Sequence, residues 1–160
     1  MKDKKVIVTG AASGIGKEVV KQCLNKGAEV IACDIAEESL FNLKQSMSEP
    51  HNKRLFTYRV DVSSYEQVSR FFEYLEHEHT DVNTLVNNAG IYLAKNIMDY
   101  DTEEIDRVLN INIKGCVYFS QLFGKKLYKN KHYGAIVNIS SVWGMKGALT
   151  PFMVYRKQLS

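Results

Sequence analysis

No apolar run in this 160-residue chain approaches the length of a membrane span, and no block of like charge stands out. Met1-Lys2-Asp3-Lys4-Lys5 leads into a short apolar run instead of the longer one a secretory leader needs, so the default location is the cytoplasm. The net charge is only +3, with the lysines scattered. Nucleic-acid binding calls for a clustered basic face with interleaved aromatics. The one local cluster, from Lys125 to Lys131, reads instead as a solvated helix C-terminus, where cations suit the dipole. Neither nucleic acid nor membrane is an expected partner.

Cysteine is scarce too. Cys23, Cys33 and Cys116 lie in apolar-periodic segments without metal-type spacing, and read as free thiols packed as small hydrophobes. His51, His77, His79 and His132 occur in polar, turn-like surroundings. His77 and His79 are two apart and would not share a helix face. No metal site is expected. What remains, 24% charged and 45% hydrophobic residues, is ordinary for a globular protein, and the length fits one domain with a real core.

Short apolar runs alternate with helical periodicity along the chain. Strands are expected at 6–8, 29–34, 54–61, 84–87 and 134–139. Helices are expected at 14–26 (closed by Gly27), at 37–47 (stopped near Pro50), after Ser63 or Ser64, and from Thr102 to about Tyr128, bent or broken near Asn112. Strands alternating with helices imply βαβ units and a parallel sheet. The expected fold is α/β, a Rossmann-type doubly wound sheet of five strands in the order 3-2-1-4-5. It forms a single dinucleotide-binding domain over residues 1–160. An open sheet of this kind usually carries six strands.

The segment from Thr9 to Gly16 follows a strand and opens a helix, the context a dinucleotide fingerprint needs. Gly10 would allow a tight turn, Gly14 the close approach of a pyrophosphate, and Gly16 close helix packing; Thr9, Ser13 and Ile15 complete the loop. The helix N-terminus then offers N–H groups and partial positive charge to phosphates. Asp34 ends the second strand, placed to accept from a ribose 2′-OH and to repel the 2′-phosphate of NADP. No Lys or Arg stands in the loop, so NAD is favoured over NADP. The plainer alternative for Asp34 is a strand-end residue capping the next helix.

Further motifs follow in order: Asp61-Val62, Asn87-Asn88-Ala89-Gly90, Asn112 with Gly115, and Val137-Asn138-Ile139-Ser140-Ser141. Together they resemble the short-chain dehydrogenase/reductase family, up to about Phe152. The resemblance implies hydride transfer between a nicotinamide cofactor and a secondary alcohol or ketone. It implies that Asp61 and Val62 border the adenine and that Asn87, Asn88, Ala89 and Gly90 floor the cofactor site. Asn112 would break its helix and hold a water in a proton relay, and Ser141 would hydrogen-bond the substrate oxygen. The plainer alternatives are a helix cap for Asn112 and a strand-end turn for Ser141. The family also pairs the helix containing Val117, Phe119, Leu122 and Phe123, and the one after it, across a dimer interface. With that second helix and the later strands lacking, a homo-oligomer would be weakened and the fifth strand left with an open edge.

The family's proton-donating tyrosine, with a lysine four residues on, is absent as written. A phenol of ordinary pKa near 10 needs help to act as a base near neutral pH, and general acid–base assistance is typically worth about 10²–10⁴-fold. Tyr155 has Leu159 at that spacing, with Arg156 and Lys157 ill-placed, so it is a poor match. Loss of one T within the codons for Pro151-Phe152 accounts for this ending. Restoring it turns Met153-Val154 into Tyr-Gly when Phe152 uses TTT. With CGA for Arg156 the frame continues through Leu-Ser-Lys-Thr-Ala, and the tyrosine falls at position 153. A natural short variant with its own tail is the alternative, and another codon at Arg156 overturns the frameshift. The function expected is thus either a dehydrogenase acting on a small-molecule substrate or a non-catalytic dinucleotide binder. Trp143 and Met145 would line a pocket wall or pack on their own loop.

Overall fold

The computed structural model describes residues 1–2, 4–95 and 97–141. Tyr155, Trp143, Met145 and the residues on which the frameshift expectation rests lie outside them. The described residues form one parallel sheet from β1 (Lys5–Thr9), β2 (Glu29–Asp34), β3 (Leu55–Arg59), β4 (Thr84–Asn87) and β5 (Ala135–Asn138). Its order is β3-β2-β1-β4-β5, as the alternating pattern predicts. Helices α1 (Gly14–Asn25), α2 (Glu37–Gln45), α3 (Tyr65–Glu78), α4 (Thr102–Leu109) and α5 (Cys116–Lys129) connect the strands.

Both sheet faces are covered, which is why the inner strands read as unbroken apolar runs. Val6, Val8, Val30 and Ala32 pack against Val20 and Leu24 of α1 and against Leu40 and Leu43 of α2. On the opposite face Ile7, Ile31, Cys33 and Leu85 meet Val68, Phe71 and Leu75 of α3 and Phe119 and Phe123 of α5. Each leucine- or phenylalanine-sized side chain buried this way contributes about 1.5–3 kcal/mol.

The helix ends explain several boundaries. Gly27, at φ +88°, closes α1 as expected. Gly27 N donates to Leu24 O and Ala28 N to Cys23 O, both at 3.0 Å, the paired bonds of a Schellman turn. Arg54 Nη1 adds bonds of 3.0 Å to Leu24 O and Ala28 O, a lock across sequence that local periodicity does not reveal. Ser64, one of the two serines considered, caps α3 by accepting from Gln67 N. Helix α2 stops at Gln45, two residues early, and β3 releases the chain before Val60 and Asp61.

The α-helix from Thr102 is interrupted at Asn112, as expected: α4 gives way to a π-helical turn, Asn110–Gly115, which leads directly into α5. Phe119 and Phe123 of α5 are fully buried in the chain's own core, whereas Val117 is 54% exposed. The expectation for Lys126 needs correction. Lys126 is not a solvated cation; it is 3% exposed and its Nζ donates to Leu75 O at 3.2 Å. Burial, chiefly, pushes its ammonium below the ordinary lysine range.

His79 also departs from its polar reading. It ends α3 and is 5% exposed, with its ring edge-on to Phe56 at 4.6 Å. Nε2 lies 3.4 Å from Tyr74 Oη, and Nδ1 is buried without a partner among the described residues. Burial and then the Lys5 ammonium hold His79 below its ordinary pKa, against the smaller pull of Glu29, Asp81 and Glu78. The unfolded chain takes up a proton near the ordinary value of 6.5, the folded chain only at lower pH. Stability from the neutral ring is therefore full above that pH and declines as pH falls below it, levelling beneath the folded value. Thermal melts from about pH 8 to about pH 5 should show this decline in the native protein and a flatter profile in His79→Phe.

Candidate cofactor site

The carboxyl ends of β1 and β4 diverge at the point where the strand order reverses, and open α/β sheets bind ligands there. A cleft of about 380 Å³ occupies this position. Gly10, Ser13, Gly14, Ile15, Asp34, Asp61, Val62, Asn88, Ala89 and Gly90 line it, ten of the twelve residues expected to bind a cofactor. Its volume falls within the roughly 300–1,000 Å³ typical of small-molecule sites.

The two others, Thr9 and Gly16, act through the loop. Thr9 Oγ1 accepts from Asn88 N and Ala89 N, each at 3.0 Å. Asn88 Nδ2 donates in return to Thr9 O and Gly10 O, again at 3.0 Å. These four bonds lash the glycine loop to the end of β4. Gly10 turns at φ +62°, and a Cβ there would lie 2.8 Å from Ala89 Cα. A Cβ on Gly16 would strike the Gly10 carbonyl oxygen, so its close packing is against the loop. Gly14, by contrast, has nothing within 4 Å of where its Cβ would be.

That open space meets the start of α1. Ser13, the N-cap, spends no side-chain oxygen on the helix, and no acidic residue sits in the first turn. The N–H groups and dipole there suit a pyrophosphate. At one end of the cleft stand two carboxylates. Asp34 accepts from Ala12 N at 2.9 Å and from Ala36 N at 3.0 Å. The plainer reading needs correction: Ala36 is the N-cap of α2 and no side chain caps that helix, so Asp34 holds the turn before it instead of capping it. Asp61 Oδ1 accepts from Ser63 N at 2.9 Å and Ser63 Oγ at 2.6 Å.

Asn112 sits inside the π-helical turn, and its side chain pairs with one backbone unit: Oδ1 accepts from Ile91 N at 2.8 Å and Nδ2 donates to Ile91 O at 2.9 Å. It is therefore not a helix cap: within the π turn that interrupts the α-helix it braces the segment that follows Gly90. Gly115 completes the turn where a Cβ would come within 2.8 Å of Val62 Cγ2. Asn87 is buried and donates to Ser120 Oγ at 3.0 Å and to Asn138 Oδ1 at 2.9 Å, binding β4 to α5 and β5. Ser141 follows β5 as an exposed residue and is not part of the cleft lining.

Sequence reasoning missed Ile35, Val60, Ile91 and Ile111, which supply apolar wall. Ile35 is 55% exposed and Ile15 63%, unusual for isoleucine, and each lies beside a residue already singled out. An apolar residue directly after a strand-end acid, outside the helical pattern, was the available signal.

The family model for short chain dehydrogenase matches residues 4–155. The chain belongs to this family. It is 37% identical over 140 residues to EphD of Mycobacterium tuberculosis, covering 88% of this chain and 24% of EphD. It is 34% identical over 147 residues to the 3-oxoacyl-[acyl-carrier-protein] reductase FabG of Thermotoga maritima, covering 92% of this chain and 59% of that one. The structure of ElxO with NADP bound superposes with a TM-score of 0.83 at 31% identity, over 92% of this chain and 59% of ElxO. The chain thus spans between about a quarter and three-fifths of these relatives. The fold, with its parallel order β3-β2-β1-β4-β5, matches that of a solved short chain dehydrogenase from Mycobacterium smegmatis at a TM-score of 0.85 and 30% identity, over 92% of this chain and 61% of that one.

Proposed function

We propose that the cleft binds NAD and that the chain derives from an oxidoreductase moving hydride between nicotinamide and a secondary alcohol or ketone. One observation carries the cofactor reading: among the described residues, the only charged side chains lining the cleft are Asp34 and Asp61, both acidic, beside an open helix N-terminus. A pyrophosphate fits the N–H groups of α1, whereas an extra 2′-phosphate meets like charge and no lysine or arginine. ElxO is solved with NADP, and that likeness does not favour NAD. The preference rests on the residues of this cleft.

When bound, the nicotinamide would accept or supply the hydride. Gly14 leaves room for the phosphates, Asp34 would accept from ribose hydroxyls, and Asp61 and Val62 would border the adenine. Asn112 would hold Ile91 and with it the floor of the site. Ser141 would hydrogen-bond the substrate oxygen, and Tyr155 is a poor donor for the accompanying proton. A non-catalytic binder is the second reading, favoured by Leu159 standing where the family lysine belongs. A small-molecule substrate and a homo-oligomer complete the proposal.

Calorimetric titration followed by turnover assays on a panel of secondary alcohols tests both readings. NAD should bind at least roughly tenfold tighter than NADP, a difference of about 1.4 kcal/mol. Binding with little turnover supports a disabled dehydrogenase; tighter NADP binding sinks the cofactor assignment. Robust turnover would mean that the chain moves the proton efficiently without a lysine four residues after Tyr155.

A further inference from the structure

The carboxylate of Asp34 is gripped from two sides before any ligand arrives. Ala12 N, inside the glycine loop, donates to Oδ2 at 2.9 Å, and Ala36 N, at the N-cap of α2, donates to Oδ1 at 3.0 Å. Ala12 is only 8% exposed, so solvent is a poor substitute acceptor for its N–H. The neighbouring Ala11 N bonds Cys33 O at 3.1 Å, tying the same stretch to β2. From the other side Asn88 holds the Gly10 carbonyl. The loop is thus strung between β4 and β2, and Asp34 is the side chain that fastens its β2 end.

We propose that Asp34 is the clasp that keeps the glycine loop in its cofactor-binding shape, in addition to accepting from the ribose. The ribose half rests on the NAD reading above; the clasp half does not. Each carboxylate oxygen has two lone pairs, so both backbone bonds leave acceptor capacity toward the cleft. One consequence separates a clasp from a simple gate. A gate that only repels a 2′-phosphate trades NAD for NADP when its charge is removed. A clasp, once removed, slackens the loop that both cofactors need.

Asp34→Asn keeps size and shape but turns an NH₂ group against one of the two backbone N–H donors. Asp34→Ser is too short to reach both. The full chain and the two variants are compared by amide hydrogen exchange without ligand and by calorimetric titration with NAD and with NADP. Exchange should quicken by at least about tenfold at both Ala12 and Ala36 in Asp34→Ser, and at whichever of the two faces the NH₂ group in Asp34→Asn, the scale expected for losing a bond to a charged acceptor. Val86 in β4 serves as an unchanged reference. NAD affinity should fall at least roughly tenfold, and NADP should bind no tighter than to the native chain. Exchange unchanged at both Ala12 and Ala36 in Asp34→Asn overturns the clasp, as does a gain in NADP affinity in either variant. Should Asp34→Ser fail to fold, the near-isosteric Asp34→Asn decides the question. If the native chain binds neither cofactor, the NAD reading fails while the exchange comparison still decides the clasp.

Discussion

Gly16→Val should abolish NAD binding and destabilise the chain by at least about 1–3 kcal/mol, the usual cost of overpacking. Any Cβ at residue 16 strikes the Gly10 carbonyl oxygen and lies 2.5 Å from Asn88 Nδ2. Neither neighbour can step aside cheaply. The first is backbone in a turn at φ +62°, and the second holds Thr9 O and Gly10 O at 3.0 Å. The loop must therefore open or α1 must retreat, and both moves displace the N–H groups that would face the pyrophosphate. Gly14→Ala is the contrast: its Cβ meets nothing within 4 Å, so its cost is confined to the strain of φ +49°. Urea unfolding and calorimetric titration with NAD check both. A Gly16→Val chain that unfolds at the native midpoint and still binds NAD would show that the loop has slack the packing denies.

The second large effect belongs to Thr9→Val. Valine matches threonine in shape, so the core keeps its packing while the oxygen is lost. Thr9 is 2% exposed, and its Oγ1 is the acceptor for the N–H groups of both Asn88 and Ala89. A fully buried donor left without an acceptor costs about 1–3 kcal/mol; Asn88 and Ala89 are half-buried, so losing both bonds costs up to roughly 2–6 kcal/mol. Against a net stability of about 5–15 kcal/mol for a typical domain, that is a large share. The denaturant midpoint should drop accordingly, and Thr9→Ser, which retains the oxygen, should recover most of it. A native-like midpoint in Thr9→Val would mean that another acceptor replaces Oγ1.

Much of the site was legible because its parts are local. The loop from Thr9 to Gly16 is recognisable from glycine spacing between a strand and a helix, and the parallel sheet followed from βαβ alternation. Asp34 was legible as a strand-end acid; it lines the cleft, but it does not cap α2, whose N-cap is Ala36. Its bond to Ala12, twenty-two positions earlier, was not legible, because contact across that separation depends on how β2 lies beside the loop. Thr9 illustrates the same limit. Its place in the motif suggested contact with a cofactor, yet its hydroxyl is consumed by backbone donors eighty positions downstream.

The misreadings share a cause. His79 and Lys126 carry polar side chains in polar stretches, and composition alone places such residues in water. Packing of α3 against β3 and α5 instead buries both, and burial shifts each toward its neutral form. Asn112 is a different case: the resemblance implied a helix break there, and the regular α-helix does give way at this residue. In the fold the helical path persists through a π turn, and the side chain braces Ile91.

Residue order alone therefore sufficed for the family, the parallel sheet and most of the cleft lining, because those follow from periodicity and short-range turn chemistry. The tertiary arrangement was needed to show which polar groups face the cleft and which are spent on holding it together. That division is physical: a donor or acceptor can serve a ligand only with capacity that the packed chain has not already used. Thr9 uses its hydroxyl within the fold, whereas Ser13 and Asp34 retain capacity toward the cleft.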